Sequence, residues 1–458
     1  MNPIEITPKT AWACVPEPEG EGTICTLEAT VTARLDALPG PEPDPEPEPA
    51  PGPAPPITIG GIPVFNVMEY GAKGNGSTND TAALQAAIDA AAQGGSRNRG
   101  GTVYFPEGCY LVSRPLVLPR TGMTPNHVVK LQGAGMHTAQ IRGIGSSWEA
   151  GEAIIQWQQT PQRTYFQSIR DLLIQPPEVE GTLAIHYHVL DKSTWAKGMA
   201  EHMSYGEFRN LQFEGSNEFQ SAFIYLEGHI RYSVFDHLIG SPKRTNRKFD
   251  TWLLVTDHNI FTSYPHGGDS QGINFSILSR LGSGFRRGGT GGLFKGRLNH
   301  STMINTWSDG VELGGPAYHI INSVHSTLEN VGNEGRSDSP QILVENSNSL
   351  TFIGPDVRTP NDYSGHGIGN GLELRNADNC VFRSRTCEPG FPAFAPKGVR
   401  MIYVDADSQG NEFTHWEFTG NPTSEVYFGH PDNYFHGYRK DSPKGWVTVG
   451  KPPAEWGK

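Results

Sequence analysis

Short apolar runs of period two recur along the C-terminal half of the chain. Gly310-Val311-Glu312-Leu313, Ile342-Leu343-Val344-Glu345, Gly371-Leu372-Glu373-Leu374 and Met401-Ile402-Tyr403-Val404-Asp405 are each an apolar run carrying one acid, read as a strand of period two with one buried face. Leu313 to Val344 is 31 residues and Val344 to Leu374 is 30. A second strand is expected after each, around Ile321, Phe352, Phe382 and Phe413, at spacings of 31, 30 and 31, with Asn322, Asn348, Asn379 and Asn411 at nearby turns. Strand, turn and strand repeated at a fixed interval are what the coils of a parallel β-helix require. Earlier segments such as Ile224-Tyr225-Leu226-Glu227 fit more loosely. Roughly 300 residues at about 30 per coil predict on the order of ten coils.

One segment has a helical period instead. Thr81 to Ala92 is Ala-rich, with Leu84, Ala87, Ile88 and Ala91 on one face. Asp80 suits the N-cap, where a carboxylate accepts free backbone N–H groups, and Gly94-Gly95 end the helix. A glycine turn at Gly100-Gly101 and strands at Thr102–Phe105 and Gly108–Val112 follow.

Composition adds a boundary. Residues 39–56 hold ten prolines in 18 positions, interleaved with Glu and Asp. Proline fixes φ and removes a donor, so this run is read as an extended spacer of roughly 55 Å at about 3.1 Å per residue. The expected organisation is an attachment segment at 1–38, the linker at 39–56, a body at 57–430 (capping region 57–130, coils 131–430) and a tail at 431–458.

The Tyr70-Gly71-Ala72 loop, the Asp80-Thr81 helix start, Gly100-Gly101 and Phe105-Pro106-Glu107-Gly108-Cys109-Tyr110 together resemble the opening of the pectate-lyase-superfamily β-helix domain, which occurs in phage tailspikes, some glycosidases and some polysaccharide lyases. Asn79 stands where that pattern usually has Asp. The resemblance implies an all-β fold, a right-handed parallel β-helix with a short N-terminal capping α-helix. Its tailspike branch implies a homotrimer.

Charge then narrows the partners. The net charge is -12, but residues 1–60 contain ten acids and two bases, leaving the body nearly balanced. No basic surface for phosphates is expected, so nucleic acid is an unsuitable partner. No stretch approaches the ~18 apolar residues that span a bilayer, so no membrane insertion is expected. The N-terminus has neither a basic start nor an apolar run, which points to release with a virion rather than export by a signal peptide. Of five cysteines, Cys14 and Cys25 either pair or remain thiols.

The sequence shows no metal-ligand cluster and no cofactor fingerprint, so none is expected. The candidate chemistry is carboxylate. If Leu313, Val344, Leu374 and Val404 point inward, Glu312, Glu345, Glu373 and Asp405 point outward on one ladder. Carboxylates on coils about 4.8 Å apart then fall within the roughly 5–10 Å bracket of glycoside hydrolysis. Asp309 and Glu329 are further candidate catalytic acids, the latter in a second outward set with Asp356, Glu388 and Glu417. Trp307, Tyr318 and Trp252 are candidate sugar-stacking residues, with Tyr205 as another loop aromatic. Arg286, Arg287, Lys295 and Arg297 are candidate cations for a lyase.

The expectation is a phage virion spike that binds host surface polysaccharide, attaches to a virion protein through residues 1–38, and cleaves the polymer, with hydrolysis favoured over elimination. The alternatives are a non-catalytic adhesin or capsid decoration protein, and a bacterial exported lyase or glycosidase working outside the cell.

Overall fold

The computed structural model describes residues 7–16, 23–32, 57–59, 62–93, 100–120, 128–158, 162–190, 202–216, 222–243, 252–257, 271–283, 292–308, 315–334, 339–358, 370–384, 400–418, 426–439 and 446–450. The chain divides into two units, 1–53 and 54–458. In the first, Thr7–Pro16 pairs antiparallel with Thr23–Thr32, and Cys14 lies opposite Cys25. The proposed extended spacer lies outside the described residues. Among those residues no helix is long and apolar enough to cross a membrane.

The second unit is a parallel β-helix of three sheets, of 19, 11 and 5 strands. Antiparallel pairs occur only at its ends among the described residues, Ile57–Ile59 with Ile62–Asn66 and Tyr434–Arg439 with Trp446–Gly450. Its core follows from one inward position per coil. Phe65, Val103, Leu131, Ile169, Phe208, Phe235, Leu278, Met303, Leu328, Phe352, Phe382, Phe413 and Phe435 stand in register, each on the next. None is more than 3% exposed. Where the position is Phe, the rings stack: Phe352 on Phe382 at 4.5 Å and Phe382 on Phe413 at 4.7 Å. Full burial of each such side chain contributes about 1.5–3 kcal/mol.

Counting at a constant period misplaces one coil. Ile320, Val344, Leu374, Val404 and Phe428 form the second sheet's inner column, so the intervals are 24, 30, 30 and 24. Ile320, not Leu313, underlies Val344, and Leu328, not Ile321, underlies Phe352. Coil length is set by the excursions between strands, and these vary.

The corners impose backbone constraints. Phe166, Tyr205, Tyr232, Phe275, His300 and His325 all have φ between 46° and 57°. A left-handed non-glycine residue costs roughly 1–2 kcal/mol. Here the six rings form one continuous stack, with centroids 4.9, 5.3, 5.6, 5.1 and 5.0 Å apart, and each contact returns about 0.5–1.5 kcal/mol.

The helix, Thr81–Gln93, buries Leu84, Ala87, Ile88 and Ala91 as expected. Its start is arranged differently. The Asp80 carboxylate accepts from the backbone N–H groups of Lys73 (2.7 Å) and Gly74 (3.0 Å), and the Asn79 side chain accepts from the Thr81 N–H instead. Two adjacent acceptors were available, and the tight loop before the helix had the donors nearest Asp80.

His229 carries a pH signature. It is buried, and burial followed by the nearby Arg231 pushes its imidazole down to about 3. Its Nδ1 accepts from Arg231 Nε at 2.9 Å, which requires that nitrogen to be unprotonated. The unfolded chain takes up the proton near pH 6.5 while the fold refuses it until about pH 3. Stability therefore falls as pH drops through that window, by up to ~1.4 kcal/mol per pH unit from this group. Thermal midpoints at pH 7 and pH 5 should differ less in His229→Gln than in the wild type; an equal difference would refute the assignment.

Candidate functional site

The outer face of the 11-stranded sheet concentrates the ionisable groups. Alternation puts Gln156, His186, Tyr225, Val255, Lys295, His319, Leu343, Glu373, Tyr403 and Tyr427 in one outward column, each in register with the next. Two residues further along each coil, the same face carries His188, Glu227, Asp257, Glu345, Arg375 and Asp405. The result is a polar ribbon beside an apolar core.

At its C-terminal half, Arg375 joins two carboxylates. Its Nε donates to Glu373 Oε1 at 2.6 Å and its Nη1 to Glu345 Oε1 at 3.3 Å. Glu373 also accepts from Asn370 Nδ2 at 2.7 Å, and Glu345 is bonded to His319 Nε2. Burial alone would raise the Glu345 carboxyl, but His319 and Arg375 outweigh it and hold it below the ordinary value. Glu345 is thus kept as an anion, and Glu373 is only 8% exposed against its guanidinium partner.

This arrangement corrects the expected acid ladder. Glu345 is in register with Ile321 and Arg375, and Glu373 with Leu343 and Tyr403. The two acids occupy neighbouring columns and meet through Arg375. Asp405 lies just past its strand, accepting from Ser408 Oγ at 2.6 Å and from the Asn376 N–H. Glu312 and Asp309 lie outside the described residues, as do Glu388, Arg286 and Arg287. Glu329 sits on the 19-stranded sheet between Ile304 and Ile353, away from Glu345, and Asp356 is in register with Gly332 rather than with it.

The aromatic candidates divide likewise. Tyr318 is an inner-column residue, fully buried, with its hydroxyl donating to the Thr306 and Gly332 carbonyls at 3.0 Å each. Burial raises it well above the ordinary tyrosine value. Its polar tip is satisfied inside, so it cannot stack on a sugar. Trp252 begins a strand and is buried with Ala153, Leu183 and Ala222, with Lys295 Nζ 5.8 Å from its ring. Trp307 is half-buried on the 19-stranded sheet, where its ring lies so close over Gly332 that any Cβ there would clash at 2.2 Å. Tyr205 is 47% exposed, but both ring faces belong to the corner stack. Arg297 is buried, its Nε donating to the Asn322 carbonyl at 2.6 Å.

The sequence reading missed the ribbon's N-terminal cluster, in which His186, His188 and Glu227 converge beside Tyr225, whose hydroxyl donates to Asp257 Oδ1 at 3.1 Å. The available signal was the i, i+2 spacing of the histidines across the end of a strand, which puts both on one face. The carboxylate comes from the next coil, 39 residues on from His188.

Residues 64–216 match the family described as rhamnogalacturonase A/epimerase, pectate lyase-like. Alginate lyase 7 of Azotobacter vinelandii is 38% identical over 110 residues, covering 24% of this chain and 12% of that protein. Mannuronan C5-epimerase AlgE3 of the same organism is 46% identical over 80 residues, covering 18% and 4%. This chain therefore matches only a small part of those proteins' length. Among solved structures, Geobacillus virus E2 ORF18 superposes with a TM-score of 0.45 at 14% identity, covering 84% of this chain and 63% of that one. Residues 64–216 are similar to a pectate-lyase-like family, and the register columns carry the parallel β-helix on through the C-terminal coils.

Proposed function

We propose that the body binds a polysaccharide along the outer face of the 11-stranded sheet and acts on it there. The observation that carries this is the outward column from His186 to Tyr427, which presents imidazole, amine, carboxylate and phenol groups with Val255 and Leu343 between them. A polymer lying along the coils meets a new outward position about every 4.8 Å. The names of the relatives, an alginate lyase and a mannuronan epimerase, favour a uronic-acid polymer.

The chemistry that suits the described residues is proton abstraction rather than hydrolysis. Glycoside hydrolysis needs one carboxylic acid kept neutral to protonate the leaving oxygen. Glu345 is held the other way, and Glu373 is tied to Arg375. Abstraction beside a uronic carboxylate needs a cation to neutralise that carboxylate and a base to take the proton. Lys295 and Arg375 supply cations on either side of His319, and the neutral form of His319, held through Nε2 by Glu345, is the base. This revises the initial preference for a hydrolase. In the same reading, residues 1–38 attach the chain to a virion, three copies assemble, and the polymer belongs to a host surface.

The test is incubation with a polyuronate and with a neutral glucan. Elimination gives unsaturated ends absorbing in the ultraviolet. Epimerisation gives solvent-hydrogen exchange without shortening, and His319→Gln should lower either rate by about 10²–10⁴-fold. New reducing ends without ultraviolet absorbance would restore hydrolysis. Binding with no reaction would make the protein an adhesin, and no binding to either polymer would refute the proposal.

A further inference from the structure

We propose that His186, His188 and Glu227 hold a divalent transition-metal ion of the zinc class on the outer face of the 11-stranded sheet. The inference rests on donor geometry and holds whatever the ribbon binds.

Three side chains from two successive coils converge. His186 is the outward residue of Leu183–Tyr187, His188 follows that strand directly, and Glu227 directly follows Ala222–Leu226 on the next coil. The donor atoms all lie within 4.8 Å of one another. His186 Nε2 is 3.3 Å from Glu227 Oε1, and His188 Nδ1 is 2.9 Å from Glu227 Oε2. Ligands about 2.0–2.1 Å from a tetrahedral zinc ion sit roughly 3.3 Å apart, so little movement is needed to admit an ion between them.

The tautomer supports this reading. His186 Nδ1 lies 2.8 Å from the Gly151 carbonyl. A carbonyl only accepts, so Nδ1 carries the proton and the Nε2 lone pair faces the cluster. Metal-bound histidines are commonly oriented by such a bond from the other ring nitrogen. The Tyr225 ring, 5.4 Å away and within 5° of parallel, fixes the same imidazole from a second side. The Val189 N–H donates to Glu227 Oε2 at 2.7 Å and fixes the carboxylate.

His188 supplies the independent observation. Its Nδ1 is buried and makes no hydrogen bond, although the Glu227 oxygen is within reach. The two atoms stand at ion-pair distance, 2.9 Å, without forming a hydrogen bond. A buried nitrogen without a hydrogen bond, beside a carboxylate that is 4% exposed, suits a ligand atom better than it suits a paired imidazole. Two imidazoles and one carboxylate select zinc-like ions over calcium or magnesium, which prefer all-oxygen sites. Three protein ligands leave one position of a four-coordinate ion for water or substrate.

The test uses the full chain, stripped with chelator and then titrated with Zn²⁺, Co²⁺ or Ca²⁺. One equivalent of Zn²⁺ should bind and raise the thermal midpoint. Co²⁺ should give the intense visible bands of a tetrahedral site, and Ca²⁺ should do neither. His188→Ala and Glu227→Gln should each weaken Zn²⁺ binding by at least about tenfold, since even supporting residues are worth that much at metal sites. His237→Asn, on another sheet, should leave it unchanged. If either site variant fails to fold, the wild-type Co²⁺ spectrum still decides. Absence of stoichiometric uptake, octahedral cobalt bands, or folded site variants that bind as tightly as wild type would overturn the proposal.

Discussion

Phe382→Ala should cost about 3–5 kcal/mol, the range for deleting a fully buried ring that neighbours cannot replace. The ring sits between Phe352 and Phe413, with interplanar angles of 16° and 8°, and it is inaccessible to solvent. Truncation removes two stacking contacts as well as the buried area, and the rungs on either side are fixed by their own ladders, so the space cannot close by collapse. In a stack of coils each rung leans mainly on its neighbours, so the damage should stay local. Hydrogen exchange should accelerate in the strands around 342–358, 372–383 and 402–418 while residues 101–175 keep their protection. A loss below about 1 kcal/mol, or equal acceleration along the whole body, would contradict the stacked-column account.

Arg375→Met should have the next largest effect, on stability and on binding together. The guanidinium is 47% exposed while Glu373 is 8% exposed. Removing it leaves a buried carboxylate with Asn370 as its remaining described partner. Breaking a fully buried pair costs about 3–5 kcal/mol, and partial exposure of the cation reduces the expectation here to about 2. Adding Glu373→Gln should recover most of that loss, because the stranded charge is gone. The coupling measured by the cycle should exceed about 1 kcal/mol. In affinity electrophoresis Arg375→Met should also release a polyuronate that the wild type retains. If the double variant is no more stable than Arg375→Met, the pair is not the source of the effect.

The parts of this molecule legible in its sequence are those that large apolar side chains dictate. Phe352, Phe382 and Phe413 mark three successive rungs correctly, and the helix face of Leu84, Ala87, Ile88 and Ala91 is buried as its period predicts. The outer face was harder to read because register is not a count of residues. Glu345 and Glu373 flank Val344 and Leu374 on opposite sides, so one matched inner column still puts them in different outer ones. Tyr318 was misread for another reason. It was expected in or near a loop, yet it begins the strand Tyr318–Ile321 and two backbone carbonyls meet its hydroxyl in the core. The grouping of His186, His188 and Glu227 depends on which coil lies above which, and alternation within a strand carries no such information.

The unequal intervals from Ile320 to Phe428 have a consequence for how such a protein changes. Twenty-four residues or thirty return the backbone to the same rung, so the scaffold is indifferent to the size of the overhang it carries. An overhang can be enlarged, trimmed or exchanged without rephasing a single neighbour. Ligand preference can therefore drift by grafting at the rim while foldability is inherited from the hub.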